Sequence, residues 1–318
     1  MKKLVAVTGL LALVIAGYLI GGSIYKYELY DLAMKVERDR AGLEEHSAKV
    51  GNIQVSYLEE VSTDNANFGT QPVMLLIHGF AANKENWLRF AGNLTDDYHV
   101  LAVDLLGHGK STKDASLRHD LDDQVKYLIN FLNHKNIQQV HIVGNSMGGA
   151  ISSLFASMHP ERALSVSLVN PAGILDHRSV LNDYIDRGEN PLVVKKTEDI
   201  YTLFDFAMEI KPFVPWPIPE VVAEQSIAKQ ALNEQIFEHL KTDQHDYNFK
   251  QQLTLIKAPT LIMWGIEDRV ISYKNAEVFD QLIPNSTKLI YPDIGHVPMI
   301  EIPEQSSQDI DQFIKTNT

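Results

Sequence analysis

Cysteine is absent from all 318 residues. No disulfide, thiolate zinc site or cysteine nucleophile can therefore exist, although a chain without thiols tolerates an oxidising or a reducing compartment equally. Positive charge is also in short supply: 28 Lys plus Arg stand against 41 Asp plus Glu, a formal charge of −13. That imbalance, with no long Lys/Arg run to offset it, repels phosphate backbones and excludes nucleic acid as an expected partner. Internal repeats and low-complexity tracts are missing too. What remains is a chain with 45% hydrophobic and 22% charged residues, enough to bury a sizeable core. Its length suits one large α/β domain with an insertion, or two ordinary domains.

The longest run without charge is LVAVTGLLALVIAGYLIGGSIY, residues 4–25, directly after Lys2 and Lys3. A helix needs about 20 apolar residues to cross a bilayer, whereas a secretory signal has an apolar core of roughly 7–15 residues and a small-x-small cleavage site. The run fits the first description and offers no A-x-A site. Residues 1–25 are therefore read as a signal anchor, a single N-terminal apolar helix that holds the protein to a membrane. The alternative is a cleaved signal, which would release a secreted or periplasmic protein. Uniform apolarity, rather than a stripe, argues against a buried core helix. Lys2 and Lys3 on one side compete with Lys26, Lys35, Arg38 and Arg40 on the other, so the membrane orientation stays open.

Residues 26–49 are charged with apolar positions at helical spacing, which predicts an amphipathic connector helix. From Asn52 the pattern changes. NIQVSYLEE alternates apolar and polar residues, as an early strand does. Short apolar runs then recur: VMLLI (73–77), VLAVD (100–104), VHIVG (140–144), SVSLVN (165–170), TLIMWG (260–265) and TKLIYP (287–292). Runs of this length without alternation predict strands buried on both faces, as in a parallel sheet. Helical patterns over 83–94 and 119–134 separate them, so the expected fold is a mostly parallel, doubly wound α/β sheet built from 50–172 and 253–318. Between Gly173 and Gln252 the alternation stops for about 80 residues, far beyond an ordinary connection of about 4–6. Residues 173–252 are read as an inserted helical cap. Within it, KPFVPWPIPE (211–220) places four prolines among Phe213, Val214, Trp216 and Ile218, which predicts a rigid apolar loop and makes Phe213, Trp216 and Ile218 candidate substrate-binding residues.

The strongest local signal is Gly144-Asn145-Ser146-Met147-Gly148-Gly149, which follows VHIV directly and precedes the helical run AISSLFASMH. G-x-S-x-G between a strand and a helix is a nucleophile elbow, a turn so sharp that flanking side chains would clash. Its bland reading is a plain glycine turn. A serine hydroxyl needs a base to take its proton, and the base must be held in one tautomer. With such an elbow the chain order runs serine, acid, histidine. Asp268 lies just beyond the strand ending at Gly265, and His296 just beyond the strand ending near Pro292. Both positions lie outside the carboxyl ends of strands, where an open α/β sheet places its chemistry. Taken singly, each would pass for a turn former or a solvated loop residue. Among 12 histidines, His78 precedes the acid and His108 reads as part of a structural turn, while Glu267 and Asp293 are rival acids. The oxyanion of acyl transfer needs two fixed N–H donors. Met147 follows the nucleophile, and Phe80 follows the His78-Gly79 pair at the end of VMLLI, so these two are the candidates.

His78-Gly79-Phe80, Asp104-x-x-Gly107-His108-Gly109-x-Ser111, the Gly144–Gly149 elbow, Pro259-Thr260-Leu261-Ile262-x-Trp264-Gly265-x-x-Asp268 and Gly295-His296-x-Pro298-x-x-Glu301 together resemble the α/β-hydrolase family from about Val50 to the C-terminus. Leu106 departs from the family, many of whose members have proline there, a change expected to alter only the turn. Ser146 argues against the dehalogenases and epoxide hydrolases of this fold, which carry aspartate at that position. With the apolar N-terminus and Asn170-Pro171-Ala172-Gly173, the chain most resembles membrane-anchored monoacylglycerol lipases and related bacterial lipases. The resemblance implies a serine carboxylester hydrolase acting on monoacylglycerol or another single-chain acyl ester through an acyl-enzyme, without metal or organic cofactor. The alternative keeps the triad and changes the bond, to the C–C bond, lactone or amide of a small metabolite. A hydrolase scaffold used only for binding is disfavoured, because no triad member is missing.

Overall fold

A computed structural model describes residues 25–61, 71–246 and 248–318. Its centre is an eight-stranded sheet in the order β1-β2-β4-β3-β5-β6-β7-β8. The strands are β1 (Leu43–Val50), β2 (Ile53–Glu60), β3 (Val73–Ile77), β4 (His99–Val103), β5 (Val140–Asn145), β6 (Ala163–Val169), β7 (Thr260–Gly265) and β8 (Ser286–Tyr291). β1 and β2 pair antiparallel, β2 meets β4 antiparallel, and every pairing from β4 onward is parallel. The six apolar runs thus form β3 to β8, and β5 and β7 are buried along their whole length.

Helices cover both faces, because a sheet with two apolar faces must bury both. On one face α3 (Leu121–His134), α4 (Met147–Met158), α9 (Phe249–Leu253) and α10 (Asn275–Leu282) enclose Leu128, Phe155, Phe249, Trp264 and Phe279. On the other, α2 (Leu88–Ala91) and α12 (Pro303–Asn317) enclose Trp87, Phe90, Met263, Ile310 and Phe313. α3 is amphipathic and starts where Asp120 accepts a bond from the Asp123 N–H at 2.8 Å, an N-cap that satisfies one of the helix's free donors. α4 is buried almost all round, so it sits in the middle of the molecule rather than on its surface.

Residues 25–41 form α1, and β1 begins at Leu43. The expected connector helix over 26–49 therefore stops early. Gly42, at φ +67°, ends it, and the following LEEHSAKV pairs along its full length with β2. Periodicity alone misses this, since an edge strand with one solvated face is as polar as a surface helix. Between β6 and β7 the described residues hold five helices and no strand: α5 (Val180–Asp186), α6 (Asp199–Ala207), α7 (Ile218–Ile227), α8 (Gln230–Asp246) and α9. The last of these belongs to the main core through Phe249 and Leu253. Ile218 opens α7 instead of lying in a loop. Among the described residues no helix is long and apolar enough to cross a membrane. The stretch on which the anchor expectation rests lies, except for Tyr25, outside the described residues.

The sheet order changes direction between β3 and β5: the chain moves from β3 to β4 on one side, then returns to β5 on the other. At such a switch point the loops leaving the two strands diverge, opening a crevice at their carboxyl ends. The loops in question begin at His78 and at Ser146.

Candidate active site

Ser146 has φ 55° and ψ −119°, a conformation costing of order 1–3 kcal/mol that only a surrounding of fixed contacts maintains. Those contacts are glycine-dependent. A Cβ on Gly144 would lie 2.1 Å from the Gly148 carbonyl oxygen, and one on Gly148 would lie 2.2 Å from that of Ile77. Strand, turn and helix are packed backbone to backbone, which is why Ser146 is thrust out at the tip.

Asp268 and His296 meet. His296 Nδ1 donates to Asp268 Oδ2 at 2.8 Å, and both residues are buried. The carboxylate is fully engaged. Oδ1 accepts the Val270 and Ile271 N–H groups at 2.8 and 2.9 Å, and Oδ2 also accepts Asn170 Nδ2 at 2.7 Å and Trp264 Nε1 at 3.0 Å. With Nδ1 holding its proton toward Asp268, Nε2 carries the lone pair that a general base needs. Asn145, beside the serine, donates from Nδ2 to the His296 carbonyl at 3.0 Å, tying the histidine loop to the elbow. Ser146 Oγ makes no hydrogen bond to His296 Nε2, a looseness common in resting hydrolases that tightens around substrate.

The loop after β3 lies directly on the elbow, since a Cβ on Gly79 would be 3.1 Å from Ser146 Cβ. Among the described residues neither the Phe80 N–H nor the Met147 N–H donates to a backbone acceptor. The rival residues serve elsewhere. His78 donates from Nδ1 to the Gly79 carbonyl at 2.7 Å and accepts the Leu105 N–H on Nε2 at 3.0 Å, leaving no free ring nitrogen. His108 donates from Nδ1 to the Leu106 carbonyl at 3.1 Å. Glu267 and Asp293 are exposed. Phe213 and Trp216 face solvent at 84% and 39% exposure, while Ile218 is half-buried.

Sequence reasoning assigned no role to Asn145, Asn170, Trp264 or Glu301. All four stand in motifs quoted above, yet no spacing showed what they would touch; Asn170 follows β6 directly at φ 47°, a conformation asparagine tolerates better than most residues.

Three buried histidines remain neutral here. Burial pushes His78 and His141 down to about 4 and His108 to about 3, from an ordinary 6.5. Their folded-state values lie below the unfolded one, so between pH 6.5 and 4 the unfolded chain binds more protons. Stability is then expected to fall on acidification by on the order of 1 kcal/mol per pH unit for each histidine. Urea midpoints at pH 7, 6 and 5 read this directly; a flat series contradicts it.

Residues 72–196 and 223–303 match the family described as alpha/beta hydrolase fold. Lipase 3 of Moraxella sp. (strain TA144) is 33% identical over 88% of this chain and 87% of its own. Monoacylglycerol lipase ABHD6 of Rattus norvegicus is 27% identical over 77% and 76%. The crystal structure of a membrane phospholipase A, titled a bacterial virulence factor, superposes with a TM-score of 0.87 at 40% identity, over 99% of both chains. An elbow at the sheet's switch point, an Asp–His pair on neighbouring strand tips and these matches agree: the chain belongs to the alpha/beta hydrolase fold family.

Proposed function

We propose that Ser146, His296 and Asp268 form a triad that hydrolyses monoacylglycerol or another single-chain acyl ester. The chain is a serine ester hydrolase. The observation that carries the triad is the 2.8 Å bond from His296 Nδ1 to Asp268, on a loop tied by Asn145 to the elbow that presents Ser146. In the first step Nε2 of His296 takes the hydroxyl proton as Ser146 Oγ attacks the ester carbonyl. The oxyanion is held by the N–H groups of Phe80 and Met147, each worth several kcal/mol to a transition state in a site that excludes water. Collapse of the tetrahedral intermediate breaks the ester C–O bond, and His296 returns the proton to the departing glycerol oxygen. Water, deprotonated by the same nitrogen, then releases the fatty acid and regenerates the serine. A panel of monoacylglycerols, triacylglycerols and p-nitrophenyl esters tests the substrate class. Single-chain esters should be turned over fastest; preference for triacylglycerol would exclude the reading.

Residues 1–25 act in this proposal as the membrane anchor, 26–41 as the connector, and 173–252 as a cap over the crevice. Support comes from where the chain enters the described structure. Tyr27 donates to Glu224 of α7 at 2.6 Å and Lys26 pairs with the same carboxylate, so the two residues that follow the apolar stretch are held against the helix that follows Phe213 and Trp216. A bilayer holding residues 4–25 would then lie close to the exposed aromatic tip of the cap. Removing residues 1–25 is expected to slow hydrolysis of long-chain substrates presented in vesicles by about tenfold or more, the effect of losing an intramolecular effective concentration, and to spare water-soluble short esters. Equal effects on both would remove the anchor from the mechanism.

A further inference from the structure

We infer that Glu301 is a positioning residue for His296, resting on the triad proposed above: one buried carboxylate clamps the histidine loop to the chain segment leaving α6. Glu301 ends the short α11 (Pro298–Glu301), and the residue is 8% exposed. Oε1 accepts the Gly295 N–H at 3.0 Å and the Val297 N–H at 3.3 Å, the amides on either side of His296. Oε2 accepts the Glu209 and Ile210 N–H groups, both at 2.8 Å, and lies 3.1 Å from Gly295 N. The amide between the two clamped ones, that of His296 itself, donates to the Ala207 carbonyl at 2.8 Å. Residues 295–297 therefore have all three N–H groups fixed, two by Glu301 and one by the segment that Glu301 also holds.

No Lys, Arg or His pairs with Glu301 among the described residues, so backbone dipoles alone balance its charge, as in an anion nest. Charge-assisted bonds of this kind are roughly twice as strong as neutral ones. A second link runs parallel to the first: the Glu209 carboxylate pairs with Arg269, the residue after Asp268. Gly295 is required by the same close approach, because a Cβ there would lie 2.7 Å from the Ala207 carbonyl oxygen and 3.0 Å from Glu301 Oε1.

The consequence is mechanical. His296 is anchored through its ring by one bond, at Nδ1, and Nε2 has no bond to the serine. The direction in which Nε2 points is thus set by that ring bond and by the backbone of 295–297, whose carbonyls at 295 and 296 accept from Asn170 and Asn145 and whose N–H groups at 295 and 297 are held by Glu301. Glutamine is nearly isosteric but offers one acceptor oxygen in place of two. Its NH2 group would face N–H donors, so it can hold the histidine loop or the 209–210 segment, not both.

The test uses the full-length protein with Glu301→Ala and Glu301→Gln. Active sites are counted by endpoint labelling with a fluorophosphonate, and kcat and KM are measured on a soluble p-nitrophenyl ester. Misplacing a general base costs rate and leaves ground-state binding alone, so kcat per labelled serine should fall about 10²-fold in Glu301→Ala, with KM within about twofold of wild type. Glu301→Gln should lie between the two. A role confined to folding would lower the labelled fraction and the thermal midpoint while leaving kcat per labelled serine at the wild-type value, and that result overturns the inference. Should the alanine variant fail to fold, the glutamine variant is judged by the same criterion. If wild-type Ser146 itself does not label, the triad reading fails; if it labels and both variants keep wild-type kcat, only the clamp fails.

Discussion

Replacing Ser146 with alanine is expected to lower ester turnover by about 10⁴- to 10⁶-fold and to leave the fold intact. The large effect follows from the division of labour at the site. In the proposed mechanism His296 and Asp268 supply no rate without a hydroxyl to deprotonate, and what survives is binding and the proposed Phe80 and Met147 donors acting on water. The fold survives because Ser146 Oγ has no protein hydrogen-bond partner among the described residues, so its loss strands no buried group. His296→Ala should cost about as much, and the double variant scarcely more than either single one, since residues acting as a unit are not additive. Asp268→Asn should fall by about 10⁴, because an amide in place of the carboxylate favours the wrong imidazole tautomer. Single-turnover rates on a p-nitrophenyl ester, with far-UV circular dichroism as the folding control, decide the matter. Residual turnover within tenfold of wild type in Ser146→Ala, on a folded protein, would place the chemistry elsewhere.

The largest stability effect is expected at a site that does no chemistry. Lys84 is 2% and Asp104 0% exposed, and Lys84 Nζ lies 2.8 Å from Asp104 Oδ2 and 2.9 Å from Glu45 Oε1. Asp104 also accepts the backbone N–H groups of Lys84 and Lys110, at 2.9 and 2.8 Å. This cluster anchors the loops that follow β3 and β4, one of which carries Phe80. Lys84→Ala leaves a carboxylate buried without its cation, at a cost of about 3–5 kcal/mol. Lys84→Met with Asp104→Leu removes both charges and should cost much less than the two single changes together.

The pH dependence separates this pair from the buried histidines. Burial is the largest influence on Asp104 and opposes its charge, yet Lys84, His78 and the N–H groups of Lys110 and Lys84 together outweigh it and hold the carboxyl below its ordinary range. Burial is likewise the largest influence on Lys84 and works against its charge, and Asp104, Glu85 and Glu45 together outweigh it, raising the ammonium above 10.5. A depressed carboxyl loses its contribution only as pH falls through the folded value, below 3.8; a raised ammonium loses its contribution only as pH climbs through its folded value, above 10.5. Between pH 7 and 9 the stability difference between wild type and Lys84→Ala should therefore be constant; at lower pH it should narrow, because without Lys84 burial raises the Asp104 carboxyl of the variant and protonation relieves the stranded charge, while the histidines weaken both proteins below pH 6.5. A difference below 1 kcal/mol at pH 7, or one that varies across that window, would contradict this account.

Several elements are legible in the sequence itself. The strands announced themselves because a strand buried on both faces admits almost nothing but apolar residues, and VMLLI, VHIVG and TLIMWG have no other economical reading. Gly144 and Gly148 were legible for a comparable reason: a backbone-to-backbone contact near 2 Å from a would-be Cβ tolerates no other residue, so the sequence must record it. β1 was not legible, because its polar edge offers the same pattern as a surface helix and only pairing with β2 distinguishes them. The exposure of Phe213 was hidden as well, since apolar character in a proline-rich segment does not say which way the side chain turns.

By itself the sequence determined the order of strands β2 to β8 along the chain, the elbow, and the residue types that could serve as base and acid, because these depend on local periodicity and on steric limits at single positions. Only the tertiary structure decided that Asp268 lies against His296 and not Glu267 or Asp293, that Asn170 and Trp264 close around the same carboxylate, and that Glu301 grips the amides of both 209–210 and 295–297. A hydrogen bond depends on distance and direction between groups brought together by the whole fold, and no spacing along a chain encodes that.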